Sequence, residues 1–466
     1  MQKLDHRLEA YATFCGRSAR AHVSTRRREI ARYQNQNRDN YLRSSSNACS
    51  KRFAPPDPAP QIFLEFFFQK PLNTEKNMST RRILIAATSL VALATMSNAE
   101  YLAYKGSGGI GQGKHIVFIA NDHEYRSEEA CPTLAKILAK RHGFKCTVLF
   151  GLDENGAIEP GGRDMPGTEV LEDADLLFFY SRFMNLPDKQ VDPLVEYFER
   201  GGPVVGVRTS THCFNGQKGK WEKLNFDYQG NDYYGGMGEQ IFGNTWNKER
   251  GQSHYGSNHV MGCLITPDPT AASHPILQGV NRIHAYSGAY KSQPPAGATP
   301  LLNLQVLYTF HPSDDYNTEK PAVNAGWTRD SYTTPSGKTK KARVVYASYG
   351  ASEDLLSEDA RRFLVNACLW AGGWESEITP NLNVDVVGSF SPSAYNNGAG
   401  LTGIMPADLA AWNSQIMPSD AKIGGLSDPK KIERLGRVVK NRPHLRARIA
   451  EEHPEFFAPG GLLEEF

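Results

Sequence analysis

Pro203-Val204-Val205-Gly206-Val207-Arg208-Thr209-Ser210-Thr211-His212-Cys213-Phe214 reads as a buried parallel strand running into a tight turn and a short helix. This is the pattern of a nucleophile elbow, which lifts one side chain to the carboxyl edge of an α/β sheet, where ligands bind. In hydrolases and amidotransferases that side chain is Ser or Cys. Here it is Arg208. A guanidinium cannot attack a carbonyl, but its planar fork can clamp a carboxylate, a phosphate or a polarised sugar oxygen. The pattern keeps the position of a site and changes its chemistry.

Around the elbow the chain alternates regularly. His115 to Ala120 and Lys145 to Phe150 read as strands. Between them a helix starts at Ser127 with Glu128 and Glu129 in its first turn and ends at Lys140-Arg141-His142-Gly143. Asp175 to Tyr180 is a further strand, and Pro187 to Arg200 a helix stopped by Gly201-Gly202. Downstream, Ala342 to Ser348 is a strand, and Glu358 to Ala371 a helix with apolar Phe363, Leu364, Ala367 and Leu369. Strands alternating with helices of this length predict an α/β domain over 114–374, with a parallel sheet covered on both faces.

Residues 215–335 fit this pattern less well. They are rich in Gly, Asn and aromatics, among them Tyr228, Tyr233, Tyr234, Trp246 and Tyr255, with little apolar periodicity. Long loops of this kind carry binding surface or a lid. Residues 375–466 read as an extension, Pro/Gly/Asn-rich to about 423, then a packing helix with Ile432, Leu435, Val438 and Val439 and a loose end.

The N-terminal residues follow another logic. Met78-Ser79-Thr80-Arg81-Arg82, an uncharged apolar run from Ile83 to Thr95, and Ser97-Asn98-Ala99 have the three regions of a secretory signal peptide over 78–99. The apolar run is too short to span a bilayer, and no span is expected after cleavage. Residues 1–77 then read as a disordered stretch translated from a misplaced start. They carry 14 Lys+Arg against 7 Asp+Glu, so 78–466 sums to −5 and 100–466 to −7. A mildly acidic exported chain, periplasmic or secreted, does not suit nucleic acid. Of seven cysteines, Cys131, Cys146, Cys213, Cys263 and Cys368 lie in the mature part, an odd number without zinc-site spacing.

The strand ends supply the candidate site. After the first strand stand Asp122, His123 and Glu124, after the next Arg182, and at the elbow Arg208, Thr209, Thr211 and His212. Loops at the carboxyl ends of parallel strands share one crevice. Two arginines can hold an oxygen-rich substrate, and His123 or His212 beside a carboxylate can move a proton near neutral pH. Trp246 and His254 would reach over from the aromatic loop. His212, His254, His259 and His274 with Asp122 or Glu124 lack metal-ligand spacing, so no metal or cofactor is expected. His274 before Pro275 reads as a turn residue.

From Lys114 to Gly373 the chain resembles the ThuA-like (trehalose-utilisation) domain of the class I glutamine amidotransferase-like superfamily, in its exported planctomycete-type branch. The resemblance rests on His115–Ala120 with its Asn121-Asp122-His123-Glu124-Tyr125 loop, and on the elbow Gly206–His212. It rests equally on Ser273-His274-Pro275-Ile276-Leu277-Gln278-Gly279-Val280 and Ala347-Ser348-Tyr349-Gly350-Ala351-Ser352-Glu353-Asp354-Leu355. It extends to Val384–Gly388 and Met405–Leu409. It implies a flavodoxin-like three-layer sandwich with a mostly parallel sheet, and a role linked to sugar oxidoreductases and 3-keto-glycoside breakdown. The ligand would be a small carbohydrate or keto-sugar, and the partner a sugar oxidoreductase. Arg208 in place of the elbow Cys rules against glutamine hydrolysis through a thioester. Arg208, His212, His123, Asp122 and Glu124 are the expected catalytic set, and Arg182, Thr209, Thr211, Trp246 and His254 the expected substrate contacts. A non-catalytic carbohydrate-binding protein, with the Tyr/Trp loop as its working surface, is the alternative. So is a structural partner of a secreted oxidoreductase.

Overall fold

The computed structural model of the protein describes residues 100–247, 252–255, 261–393, 395, 403–416 and 429–466. The expected upstream segment 1–77, the signal peptide 78–99 and His259 lie outside the described residues.

The strands are β1 (Leu102–Lys105), β2 (His115–Asn121), β3 (Lys145–Phe150), β4 (Leu176–Ser181), β5 (Val204–Val207) and β6 (Ser253–Tyr255). They continue with β7 (Cys263–Pro267), β8 (Ile283–Ala285), β9 (Ala289–Lys291), β10 (Thr299–Val306), β11 (Val323–Thr333) and β12 (Thr339–Ala347). The helices are α1 (Ser127–His142), α2 (Asp188–Glu199), α3 (Glu358–Ala371), α4 (Pro429–Lys440) and α5 (Pro443–Glu452). Among the described residues no helix is long and apolar enough to cross a membrane.

One sheet runs in the order β1-β3-β2-β4-β5-β12-β11-β10-β7-β8. Its heart, β3-β2-β4-β5-β12, is parallel throughout, and in chain order this is the 2-1-3-4-5 arrangement of a flavodoxin-like fold. β2 is buried along its whole length because both its faces are covered. Ile116, Phe118 and Ala120 pack with α1 and α3, whereas Val117 and Ile119 pack with α2. The continuous apolar run is the sequence signature of a strand buried on both sides. The Phe118 ring packs tilted against that of Phe178 on the neighbouring strand, centres 5.1 Å apart. Replacing so enclosed a ring by alanine costs about 3–5 kcal/mol.

Three regions differ from the sequence reading. The sheet begins upstream of Lys114, since β1 pairs antiparallel with β3. The middle is not mainly loop: β11, β10, β7 and β8 extend the sheet as antiparallel strands. Tyr233, Met237 and Phe242 form part of its core. Their turn lies so close to the elbow that a Cβ at Gly238 would sit 1.9 Å from the Thr211 carbonyl oxygen. Finally, the tail is not loose. Leu435, Val439, Leu445, Ile449 and Leu463 bury themselves with Phe310. Asp315 accepts from His444 Nε2 at 2.5 Å and Arg448 Nη2 at 2.6 Å.

The extension from 378 onward wraps α1 and α3. Val384 O accepts from Arg361 Nε (2.8 Å) and Leu409 O from Tyr104 Oη (2.7 Å). Lys136 Nζ, buried in α1, donates to Ser414 O (2.9 Å) and Trp412 O (3.3 Å). Trp412 stacks on Tyr104 at 5.4 Å.

Candidate active site

The loops after β2, β4 and β5 meet along the carboxyl edge, as the strand order requires. Each contains one non-glycine residue in the left-handed region: Arg126 (φ 67°), Phe183 (φ 54°) and Arg208 (φ 41°), the three found among the described residues. Such a conformation costs of order 1–3 kcal/mol and persists only where neighbours over-determine it. At the elbow they do. Ser210 Oγ donates to Phe179 O (2.6 Å) and receives Val207 N–H (3.1 Å), while Tyr346 Oη donates to Arg208 O (2.9 Å).

Arg208 has no exposed surface. Its Nη1 donates to Gly288 O (2.7 Å) and its Nη2 to Ser287 O (3.3 Å). Asp354 Oδ2 lies 3.9 Å away. The guanidinium lies 3.7 Å from the centre of the Tyr125 ring and 5.1 Å from that of Tyr290. Cation–π contacts of this kind are worth most when desolvated. The clamp expected to face substrate is therefore closed on the protein's own carbonyls and rings. Arg208 holds up the floor of the crevice.

Above that floor stands His212, 2% exposed. Its ring lies 5.0 Å from Trp246, 5.5 Å from Phe183 and 6.0 Å from Tyr290. Thr211 Oγ1 donates to Arg208 O at 3.4 Å and lies 3.2 Å from His212 Nδ1. With Nδ1–H donated to that hydroxyl, the lone pair of His212 would stand on Nε2. Burial, reinforced by Arg182, His254 and Arg208, pulls the imidazole well below its ordinary range. His212 is therefore neutral at physiological pH.

His123 and His212 are not equivalent. Arg182 Nη1 donates to His123 Nε2 at 2.5 Å, so the basic nitrogen of His123 is already occupied. Arg182 Nε pairs with Glu124 Oε2 at 3.0 Å. Glu124 is pushed up by burial, against the pull of Arg182. The carboxylates expected to orient a histidine do other work: Glu124 holds Arg182, and Asp122 Oδ1 accepts the backbone N–H groups of Glu124 (2.8 Å) and Tyr125 (2.5 Å). Thr209 and Thr211 are fully buried, so neither offers surface to a ligand.

Trp246 and His254 do come to the site. β6 pairs with β9 so that His254 faces Tyr290, and Trp246 lies 4.9 Å from His254 and 4.8 Å from Tyr290. Tyr290 was missed in the sequence because nothing marks so short a strand as β9. An open groove of about 700 Å3 lined by Leu152–Asn155 and Glu159–Asp164 adjoins His123 across Gly161.

Cys213 is fully buried and burial pushes its thiol up, so it is no thiolate nucleophile. The five cysteines of the described residues are all buried and free. His274 caps a turn, accepting Ile276 N–H on Nδ1 at 3.3 Å. Among the described residues no three His, Cys, Asp or Glu side chains gather as a metal site.

The sequence matches no family model and no curated protein. Solved structures similar in fold include a ThuA-like protein from Parabacteroides merdae, at 13% identity and TM-score 0.31, covering 62% of this chain and 99% of that one. Another is an exo-beta-1,4-mannosidase from an Opitutaceae bacterium, at 10% identity and TM-score 0.25, covering 58% of this chain and 36% of that one. A third is the glutaminase domain of Trypanosoma brucei CTPS, at 10% identity and TM-score 0.28, covering 59% and 97%. Likenesses of this strength carry no argument about activity. The fold assignment rests on the strand order.

Proposed function

We propose that the protein is an exported ThuA-like domain protein that acts on a carbohydrate or keto-sugar derivative by acid/base chemistry without a covalent enzyme intermediate. The observation that carries this is the concentration of left-handed non-glycine backbone, at Arg126, Phe183 and Arg208, in the three loops that frame His212. Stored strain of this kind belongs to sites. Within that frame His212 Nε2 takes or returns a proton. Arg182 donates to His123 and is ion-paired with Glu124, and its remaining N–H groups serve substrate oxygens. Trp246, half-buried beside His212, offers an aromatic surface to a sugar ring. Arg208 contributes through the floor it supports. The signal-like stretch 78–99 motivates export, and a secreted sugar oxidoreductase is the class of enzyme that would supply a keto-sugar.

A second reading, non-catalytic carbohydrate binding, is favoured by one observation: the more exposed of the expected cations, Arg182, is already paired with Glu124. One experiment separates the two. The protein is incubated with a panel of glycosides and their 3-keto forms, and product release is followed for wild type, His212→Gln and Cys213→Ser. The catalytic reading expects turnover that His212→Gln abolishes and Cys213→Ser leaves within a few-fold. Binding without turnover in the wild type selects the second reading.

A further inference from the structure

The extension places an aromatic residue at the crevice. Ser393 N–H donates to Glu129 Oε2 at 3.0 Å, which anchors the strap at the first turn of α1. Two residues on, Tyr395 packs on Tyr125 with ring centres 4.9 Å apart. Tyr125 is fully buried, sits on the Arg208 guanidinium, and faces Tyr290 edge-on at 6.4 Å. Tyr290 in turn touches Trp246. The four rings form a chain Tyr395–Tyr125–Tyr290–Trp246 with a buried middle and two half-buried ends. Tyr395 also lies within electrostatic reach of Glu124, Arg182, Arg208 and Asp122, the charges of the first two loops and the elbow.

We propose that Tyr395 is a specificity-determining residue of the crevice, a second stacking wall at the other end of this ring chain from Trp246, for the apolar face of a neutral pyranoside. The carbohydrate reading is its premise. Neutrality follows from the charges around it, because Arg182 faces Glu124 and Arg208 faces Asp354, leaving no unpaired cation among these groups for an anionic ligand. A flat phenol ring presented beside hydrogen-bonding side chains suits a ring with C–H groups on one face and hydroxyls at its edge.

The test titrates methyl glucoside and its 3-keto form into the protein by calorimetry, with saturation-transfer NMR reading the sugar C–H protons. Tyr395→Phe keeps the face and should bind within about twofold of wild type, whereas Tyr395→Ala and Tyr395→Leu should both weaken binding roughly five- to tenfold. Leucine still covers Tyr125, so it separates a stacking wall from a plain cover and carries the test if the alanine variant does not fold. Wild-type binding with Tyr395→Leu unchanged overturns the role of Tyr395 alone. A wild type that binds neither sugar overturns the carbohydrate reading and this role with it.

Discussion

Lysine at position 208 would keep the charge but lose the flat ion that lies against Tyr125 and reaches two carbonyls at once. With Arg208 engaged internally, the expected result of Arg208→Lys is lower stability, by about 1.5–3 kcal/mol for the lost charged hydrogen bonds. A fall in Tm would record it, and a change in Trp246 fluorescence would report the shifted floor. An unchanged Tm would show that the carbonyl contacts contribute nothing. Sequence alone located this residue but could not assign its direction. The elbow pattern states that a side chain sits at the sheet edge, whereas the partners of Arg208, at Ser287, Gly288 and Asp354, stand far along the chain and meet it only in the fold. His123 and His212 read alike for the same reason. What distinguishes them is which nitrogen Arg182 or Thr211 engages, and that is a matter of tertiary contact.

Elements with strong periodicity or clear stops were legible nearly to the residue. α1 ends where Gly143 takes the left-handed cap position (φ 85°), with a Cβ there meeting the Gly108 carbonyl oxygen at 1.5 Å. β3 and α3 match their expected spans, and the elbow strand β5 begins one residue late. The strands β7, β8 and β9 escaped because runs of three to five residues carry too little pattern to be told from loop. The extension escaped because its partners are side chains far away in sequence. Among them, Lys136 makes a specific expectation possible. Lys136→Ala would leave the Trp412 and Ser414 carbonyls unpaired, an effect of about 1–3 kcal/mol concentrated on the strap. Limited proteolysis should then cut faster within 403–416 while the sheet keeps its Tm. Equal cleavage rates for the two proteins would mean that the strap is held by Trp412 and Tyr104 without the lysine.

For the whole molecule, buried titratable groups set the response to pH. Burial, helped by Lys145, lowers His115 from 6.5 to about 4 in the folded protein. A group depressed in this way stabilises the fold fully above pH 6.5 and loses that contribution as pH falls toward 4. Asp354 acts in the opposite sense: burial raises it to about 6, so its contribution is present at low pH and is lost as pH rises from about 4 through 6. His115→Gln removes one of the two, so the stability gap between wild type and variant should narrow from pH 7.5 to pH 4.5 in urea titrations. A gap of constant size would show that the His115 imidazole titrates normally. Distance along the chain imposes a different demand, that of time. The Arg208 carbonyl is held by the hydroxyl of Tyr346, 138 residues later, and at ribosomal rates of 5–20 residues per second that partner emerges on the order of ten seconds afterwards. Tyr104 waits longer still for Leu409, 305 residues on. A nascent chain arrested before Thr339 would therefore carry an elbow strand with no lock and no β12 beside it, a bare sheet edge open to other chains until the late strands arrive.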